Sequence, residues 1–251
     1  MMKYLAKTAS IAAFLLAALV TLAQPANARA ADGKIRVLLT FGGHGFEEEP
    51  FFAMFDGMKD IEYTKAPMPK SAELLKPGLE KDYDVVVMYD MVAGISPDQQ
   101  KAFVALLNQG IGLISLHHNM GAHRNWGEFR RITGGKYIFV EGEIEGKNYP
   151  LSDYAHDQDM KVTVADTEHP ITNGVKDFEI HDEAYLNYYT DPDAKVLLTT
   201  DHPKNDPELA WVKKYGKSRV FYLMLGHDGK AYANAGFVRI LHQGIRWVAE
   251  K

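Results

Sequence analysis

The sequence predicts an α/β fold in which a mostly parallel sheet is covered by helices on both faces. Three continuous apolar runs carry this prediction: "KIRVLLTF" at 34–41, "YDVVVMYD" at 83–90 and "IGLISLH" at 111–117. Strands that are apolar on both faces are typical of parallel sheets, and segments with helical spacing alternate with them here.

The first strand, at 34–41, ends in "GGHG", and the acidic "EEE" at 47–49 follows it. Apolar residues at helical spacing from Pro50 to Met58 then predict a helix. The glycine-rich loop does not match a dinucleotide fingerprint, because the third glycine would fall at Glu48 and carboxylates would repel a pyrophosphate.

The second predicted helix has clear signals at both ends. Ser96 is the expected N-cap, Pro97 the first helical residue, Gln99 the partner in a capping box, and Gly110 the stop. The apolar strand at 111–117 follows without a linker, so the first half of the chain alternates strands and helices.

The pattern loosens from Thr133 to Asp193, which we interpret as an elaboration on the same domain rather than a second domain. "MKVTVAD" at 160–166 is a short candidate strand there. Farther on, "KVLLTT", "ELAWVKKYG" and "SRVFYLMLG" predict three strands, the last two forming a hairpin, and Phe237 to Val248 predicts a closing amphipathic helix.

Residues 1–30 have the pattern of a secretory signal peptide: lysines near the front, an apolar run at 11–23 and no acidic residue. Cleavage is expected after Ala30, or two residues earlier after Ala28. The alternative, an uncleaved anchor, is disfavoured because the run is shorter than the ~20 residues of a bilayer span. We therefore expect a periplasmic or secreted protein, a single domain at 31–251, without membrane insertion after cleavage.

Composition excludes several classes of function. Without residues 1–30 the chain has 25 basic and 33 acidic residues, a formal charge of -8 against -5 for the full chain, which argues against a nucleic-acid partner. The absence of cysteine excludes a disulfide scaffold, a cysteine nucleophile and thiolate metal ligands. A serine hydrolase lacks its main signature, because no G-x-S-x-G motif is present.

Ligands bind at the carboxyl ends of the strands in a parallel α/β sheet, so polar residues at those ends are the first candidates. They are Gly42 to His44, Tyr89 with Asp90, His117 with His118, and His227 with Asp228. Three of these four strand ends carry histidine. A structural role remains an alternative for His44, as a helix cap. It also remains for one of the two adjacent histidines, whose side chains would point to opposite faces.

Two further segments add candidates. Trp126 lies in a loop with His123 and Arg124 and could contact a sugar, with a plain exposed loop as the alternative. "HDE" at 181–183 could coordinate a metal or exchange protons, with a solvated acidic loop as the alternative. Several neutral histidines with a carboxylate would suit Zn²⁺ or a similar divalent ion, although no H-x-x-x-H or H-E-x-x-H spacing is present. Acid–base catalysis by histidine is the simpler hypothesis.

Together these motifs resemble the ThuA-like (trehalose utilisation) family. The matching segments are "LLTFGGHGF", "YDVVVMYD", "NQGIGLISLHHNMGAHRNWGEFRRITGG", "DTEHPITNGVKDFEIHDEAY" and "ELAWVKKYGKSRVFYLMLGHD". The resemblance implies a flavodoxin-like fold of the class I glutamine amidotransferase-like group. In that group a cysteine nucleophile occupies a strand-to-helix elbow, where this chain has "LHHN", so glutamine hydrolysis by that route is excluded. "LGHD" at 225–228 corresponds to the place that supplies a histidine and a carboxylate.

The resemblance also implies a role in the use of disaccharides, including 3-keto sugars. A 3-keto glycoside has an acidified proton at C2. A histidine base could remove it while a metal ion or histidinium stabilises the enolate and the group at C1 leaves, which is a lyase or net hydrolase reaction.

The residues expected to carry this chemistry fall into three groups. The catalytic candidates are His118, His227 and His117; the substrate-binding candidates are His44, Asp90, Trp126, Asp182 and Glu183; the candidate metal ligands are His44, His118, His181 and His227. One alternative is a non-catalytic periplasmic sugar-binding protein, which would use Trp126 and Trp211 if these are exposed. Another is an acyl or amide hydrolase with a non-cysteine nucleophile.

Overall fold

A computed structural model describes residues 33–250, and the predicted signal peptide at residues 1–30 lies outside them. The strands of the described part are β1 (Ile35–Gly42), β2 (Ile61–Pro67), β3 (Val85–Asp90), β4 (Gly112–Leu116), β5 (Gly135–Lys136), β6 (Gly142–Ile144), β7 (Lys147–Tyr149), β8 (Asp153–Val164), β9 (Phe178–Leu186), β10 (Tyr189–Thr190), β11 (Lys195–Thr199), β12 (Glu208–Tyr215) and β13 (Ser218–Leu223). The α-helices are α1 (Glu48–Asp56), α2 (Pro97–Leu107), α3 (Gly127–Thr133), α4 (Gly229–Tyr232) and α5 (Ala235–Ala249).

Nine strands form one sheet in the order β2-β1-β3-β4-β13-β12-β11-β8-β9. The first five strands in this order run parallel. The other pairings are antiparallel, including the predicted hairpin of β12 and β13. The predicted α/β fold class is confirmed, with the addition that part of the sheet is antiparallel. Strand β2 was not predicted, and the short strand predicted at 160–166 is the end of the twelve-residue β8.

Successive side chains along a buried strand point alternately into two apolar layers, one on each face of the sheet. In β1, Val37 and Leu39 pack with α1 and α5, whereas Leu38 packs with α2 and α3 on the opposite face. Helices therefore cover both faces, as strands apolar on both sides require. Within residues 33–250, none of the helices has the length and apolar character needed to traverse a bilayer.

Local signals fix the helices that flank the parallel strands. The capping box of α2 is present: the Ser96 hydroxyl accepts from the Gln99 N–H, and the Ser96 N–H donates to Gln99 Oε1. Helix α5 packs so closely on β4 that a Cβ atom at Gly112 would lie 2.4 Å from the Val248 carbonyl oxygen. This contact fixes the strand that leads directly into His117.

Candidate functional site

A cluster of two histidines and one carboxylate lies at the carboxyl ends of the parallel strands. Glu183 Oε2 is 3.3 Å from His117 Nε2 and 3.4 Å from His227 Nδ1, and these two nitrogens are 3.2 Å apart. His117 and Glu183 are buried and His227 is half-buried. Three distant parts of the chain therefore bring titratable groups to one point.

His117 occupies a sharp turn between β4 and the 3₁₀ turn at 117–121, with a left-handed φ of 52°. A residue other than glycine in this conformation costs about 1–3 kcal/mol, and such strain is common at functional sites. The Tyr222 hydroxyl holds the turn by donating to the His117 carbonyl over 2.9 Å. His117 Nδ1 is 2.7 Å from the Met224 carbonyl, so Nδ1 carries a hydrogen and Nε2 lies in the cluster.

Asp182 anchors the loop that carries His227. Its carboxylate accepts from the backbone N–H of Gly226, His227 and Glu183, over 2.8, 2.9 and 2.8 Å. The side chain is buried, and burial raises its pKa above the ordinary value. The predicted substrate-binding residue thus holds the middle of β9 against the loop after β13.

A bulge in β8 adds a third histidine. The pairing of β8 with β9 shifts between Ala155 and Gln158, where Asp157 has a φ of 56°. Bulges redirect side chains, and this one places His156 Nδ1 3.1 Å from Glu183 Oε1. His156 was not among the predicted residues, because nothing in "DYAHDQD" indicates a bulge.

The histidines determine the charge of the central carboxylate. Burial alone would raise the pKa of Glu183, but hydrogen bonds from His117 and His227 hold it well below its usual range. In return, the hydrogen bond to Glu183 raises the pKa of His227 despite partial burial. Glu183 is therefore ionised at neutral pH and draws positive charge to its neighbours. The Tyr185 hydroxyl, 3.2 Å from His117 Nε2, has a pKa that burial raises well above 10, so it stays protonated.

His118 presents a neutral imidazole. Its Nε2 donates to the Tyr89 carbonyl over 2.9 Å, which leaves the lone pair on Nδ1. Burial, followed by the proximity of His117 and His44, lowers its pKa well below 6.5. The exposed His44 stacks on it with ring centroids 4.6 Å apart.

A cleft of about 190 Å³ adjoins these groups. Pockets for drug-sized ligands measure about 300–1,000 Å³, so this one suits a single small ring. His44, His118, His156 and Glu183 supply polar atoms to its wall. Its aromatic lining residues are Tyr137, Phe139, Tyr154 and Tyr185.

Trp126, Asp90 and Trp211 lie outside both the cleft and the cluster of His117, Glu183 and His227. Trp126 is half-buried and packs near Phe103 and Phe129 in the layer of α2 and α3. Asp90 is fully buried, accepts a 2.5 Å hydrogen bond from Thr40, and has a pKa that burial raises to about 6. Trp211 is also fully buried, so it is not available for stacking on a sugar.

The four candidate metal ligands do not come together in one site. His181 lies outside the cluster, with Nδ1 2.7 Å from Asp159, Nε2 3.1 Å from Asp157 and the Lys230 ammonium 3.0 Å from Nε2. His44 and His118 form the stacked pair. Only His227 of the four predicted ligands belongs to the group whose ligand atoms all lie within 4.8 Å of one another, and His117 and Glu183 complete that group.

Comparisons with known proteins agree with this architecture. The ThuA family, described as trehalose utilisation, matches residues 49–248. A ThuA-like protein from Parabacteroides merdae is 19% identical with a TM-score of 0.70, covering 86% of this chain and 90% of that one. A ThuA-like protein from Bacteroides uniformis is 20% identical with a TM-score of 0.62, covering 90% and 95%.

A β-galactosidase from Bacillus circulans is 10% identical with a TM-score of 0.53, and the match covers 86% of this chain but 30% of that one. At these identities the solved structures show a shared fold. No curated protein matches the sequence. Because the family match spans most of the chain, this protein belongs to the ThuA (trehalose utilisation) family, which indicates a carbohydrate-related role.

Proposed function

We propose that this protein is a secreted enzyme that acts on a small carbohydrate, a disaccharide or its 3-keto derivative, by acid–base elimination or hydrolysis. One observation carries the proposal: an ionised, buried carboxylate contacts three histidines at the wall of a small, aromatic-lined cleft. Membership of a family described by trehalose utilisation supports the substrate class.

The cleft has the lining that a sugar ring requires. Aromatic faces such as those of Tyr137 and Phe139 pack against the apolar C–H face of a sugar, while polar atoms at the wall contact its hydroxyl groups. Its volume suits one ring, so the second ring of a disaccharide would extend past the exposed Tyr154 at the rim.

His118 is the proposed general base. A base must be neutral and hold a free lone pair, and His118 meets both requirements through its lowered pKa and its Nε2–H bond to Tyr89. In a 3-keto glycoside the carbonyl acidifies the C2 proton. His118 takes that proton, and the electrons of the C2–H bond form the enolate.

The remaining groups complete the elimination. Positive charge beside Glu183, at His227, whose pKa the carboxylate raises, stabilises the enolate oxygen. When the enolate collapses, the bond from C1 to the leaving oxygen breaks, and the Tyr185 hydroxyl supplies the proton that this oxygen needs. The product is an unsaturated keto sugar; addition of water to it gives net hydrolysis.

The test is turnover by purified residues 31–251 of a panel of disaccharides and their 3-keto derivatives, followed by mass spectrometry. We expect product from a 3-keto disaccharide, and a loss of about 100-fold or more in kcat for His118→Gln, the typical contribution of a general base. His181→Gln, outside the cluster, is the matched control and should retain activity. Absence of product from the whole panel would contradict the proposal.

A non-catalytic sugar-binding protein is the second candidate, because the aromatic lining by itself suits binding. Calorimetry with unmodified disaccharides separates the two. Binding of an unmodified disaccharide, with no product from any keto derivative, would favour the binding protein.

A further inference from the structure

We propose that His117, Glu183 and His227 form a binding site for one divalent first-row transition metal ion. The inference deepens the proposed function, on which it rests for its catalytic meaning, because the ion would supply the positive charge required at this point of the cleft. Binding itself is testable without turnover.

The spacing of the three ligand atoms fits such an ion. His117 Nε2, Glu183 Oε2 and His227 Nδ1 are separated by 3.2, 3.3 and 3.4 Å. Zinc binds histidine nitrogen at 2.0–2.1 Å, so two neighbouring ligands of a tetrahedral ion lie about 3.3–3.4 Å apart. The side chains therefore already have the separations that a tetrahedral ion requires.

Hydrogen bonding around His117 leaves Nε2 available for a cation. Nδ1 donates to the Met224 carbonyl, so Nε2 is the ring nitrogen that can bind an ion in the cluster. A backbone carbonyl that accepts from the other ring nitrogen is the usual outer partner of a metal-binding histidine. The carboxylate of Glu183 only accepts, so its 3.3 Å contact with Nε2 needs either a hydrogen that Nε2 donates or a metal ion that takes the place of this hydrogen.

The donor set leaves room for substrate. Two histidines and one carboxylate occur in catalytic zinc sites with one open position, and in iron sites with several open positions. Glu183 lines the cleft and is only 5% exposed, so an ion beside it would lie at the cleft wall. A carbonyl oxygen with a neighbouring hydroxyl, as in an oxidised sugar, is the class of ligand that fits such an open position.

Another grouping of histidine with carboxylates offers a control. His181 contacts Asp157 and Asp159, but both carboxylates are largely exposed and the Lys230 ammonium already supplies positive charge there. This surface group should not hold an ion once the buried cluster is disabled.

The experiment is calorimetric titration of residues 31–251, stripped with a chelator, using ZnCl₂, MnCl₂ and, without oxygen, FeSO₄. We expect one ion per chain for at least one metal. Glu183→Gln and His227→Gln should each weaken its binding by more than about 100-fold, beyond the 10–100-fold cost of changing an outer partner. His181→Gln should bind as the unaltered protein does.

Circular dichroism verifies that each variant is folded, and the visible spectrum of bound Co²⁺ reports on direct ligation even if one variant fails to fold. The site is supported if the unaltered protein gives the spectrum of tetrahedral Co²⁺ and this spectrum changes in a folded Glu183→Gln or His227→Gln variant. Failure of the unaltered protein to bind any of the metals, unchanged affinity in both cluster variants, or loss of binding in His181→Gln would overturn it. Metal binding without sugar turnover would contradict the proposed function alone, and sugar turnover by a protein that binds none of the metals would contradict the metal site alone.

Discussion

Replacing Asp182 by alanine is expected to destabilise the protein and displace His227, because this carboxylate holds the loop after β13. The carboxylate accepts three backbone N–H groups and is 2% exposed. A substrate-binding role would leave stability nearly unchanged and raise KM instead. The substitution therefore distinguishes an anchor from a ligand contact.

The magnitude follows from the donors that lose their partner. A buried donor left without a partner costs about 1–3 kcal/mol, and the two donors on the loop, Gly226 and His227, are the ones most affected. Relief of the cost of burying a carboxylate offsets part of this loss. We expect the free energy of unfolding to fall by about 2–4 kcal/mol, or roughly 4–16 °C in Tm for a domain of this size.

Urea unfolding followed by tryptophan fluorescence measures the change, since Trp211 is fully buried in the folded protein. Asp159→Ala is the matched control: this aspartate lies on β8 with an 88% exposed side chain and pairs with His181 at the surface. Surface pairs contribute about 0–1 kcal/mol, so the control should change little. If Asp182→Ala is no less stable than Asp159→Ala, Asp182 does not anchor the loop.

Three further outcomes are expected. Burial lowers the pKa of His123 from 6.5 to about 4. As the pH falls from 6.5 to 4, His123 is protonated in the unfolded chain before it is protonated in the folded protein, so the free energy of unfolding falls by about 3 kcal/mol. In His123→Leu, the free energy of unfolding measured with urea should lose this part of its difference between pH 6.5 and pH 4. An unchanged pH dependence would show that His123 does not cause the difference. Gly112→Ala should lower the free energy of unfolding by about 1–3 kcal/mol, because its Cβ would lie 2.4 Å from the Val248 oxygen. A Cβ atom at Gly127 would meet nothing within 4 Å, so Gly127→Ala is the control and should unfold at the same urea concentration as the unaltered protein or a higher one. Tyr185→Phe should lower kcat on a 3-keto disaccharide by about 100-fold or more with a smaller effect on KM; an unchanged kcat would exclude the hydroxyl as the proton donor.

The sequence predicted the parallel half of the sheet because those strands are buried on both faces and appear as unbroken apolar runs. It did not predict β2, since much of this edge strand is exposed and its apolar residues are few. The same reason applies to β8, whose first seven residues contain none that is buried. A strand without a buried face has no periodic signal to detect.

The site was predictable to the extent that it follows from sheet geometry. Residues after parallel strands meet at one edge, which is why the rings of His44, His118, His117 and His227 form a continuous series in the structure. The roles within "HDE" at 181–183 were not predictable. These roles depend on partners far along the chain. Asp182, for example, accepts from the backbone of Gly226 and His227, which are 44 and 45 residues away in the sequence.

Two other residues show the same limit. His156 reaches Glu183 through the bulge in β8, and a bulge is set by pairing with another strand rather than by local sequence. Trp126 packs in the layer of α2 and α3, and its predicted contact with a sugar stays a prediction. An aromatic residue in a loop has the same local sequence whether it covers a cleft or completes a core.

The proposed reaction centre is tested by the turnover of a 3-keto disaccharide by residues 31–251, compared with Glu183→Gln and His181→Gln under identical conditions. Both variants change one side chain to glutamine, and of the two replaced residues only Glu183 contacts His117, His156 and His227. We expect product from the unaltered protein and from His181→Gln, and a rate lower by about 1,000-fold in folded Glu183→Gln, as for loss of an electrostatic contact to the transition state. Turnover by Glu183→Gln at the rate of the unaltered protein would contradict the claim that this carboxylate and its histidines are the reaction centre.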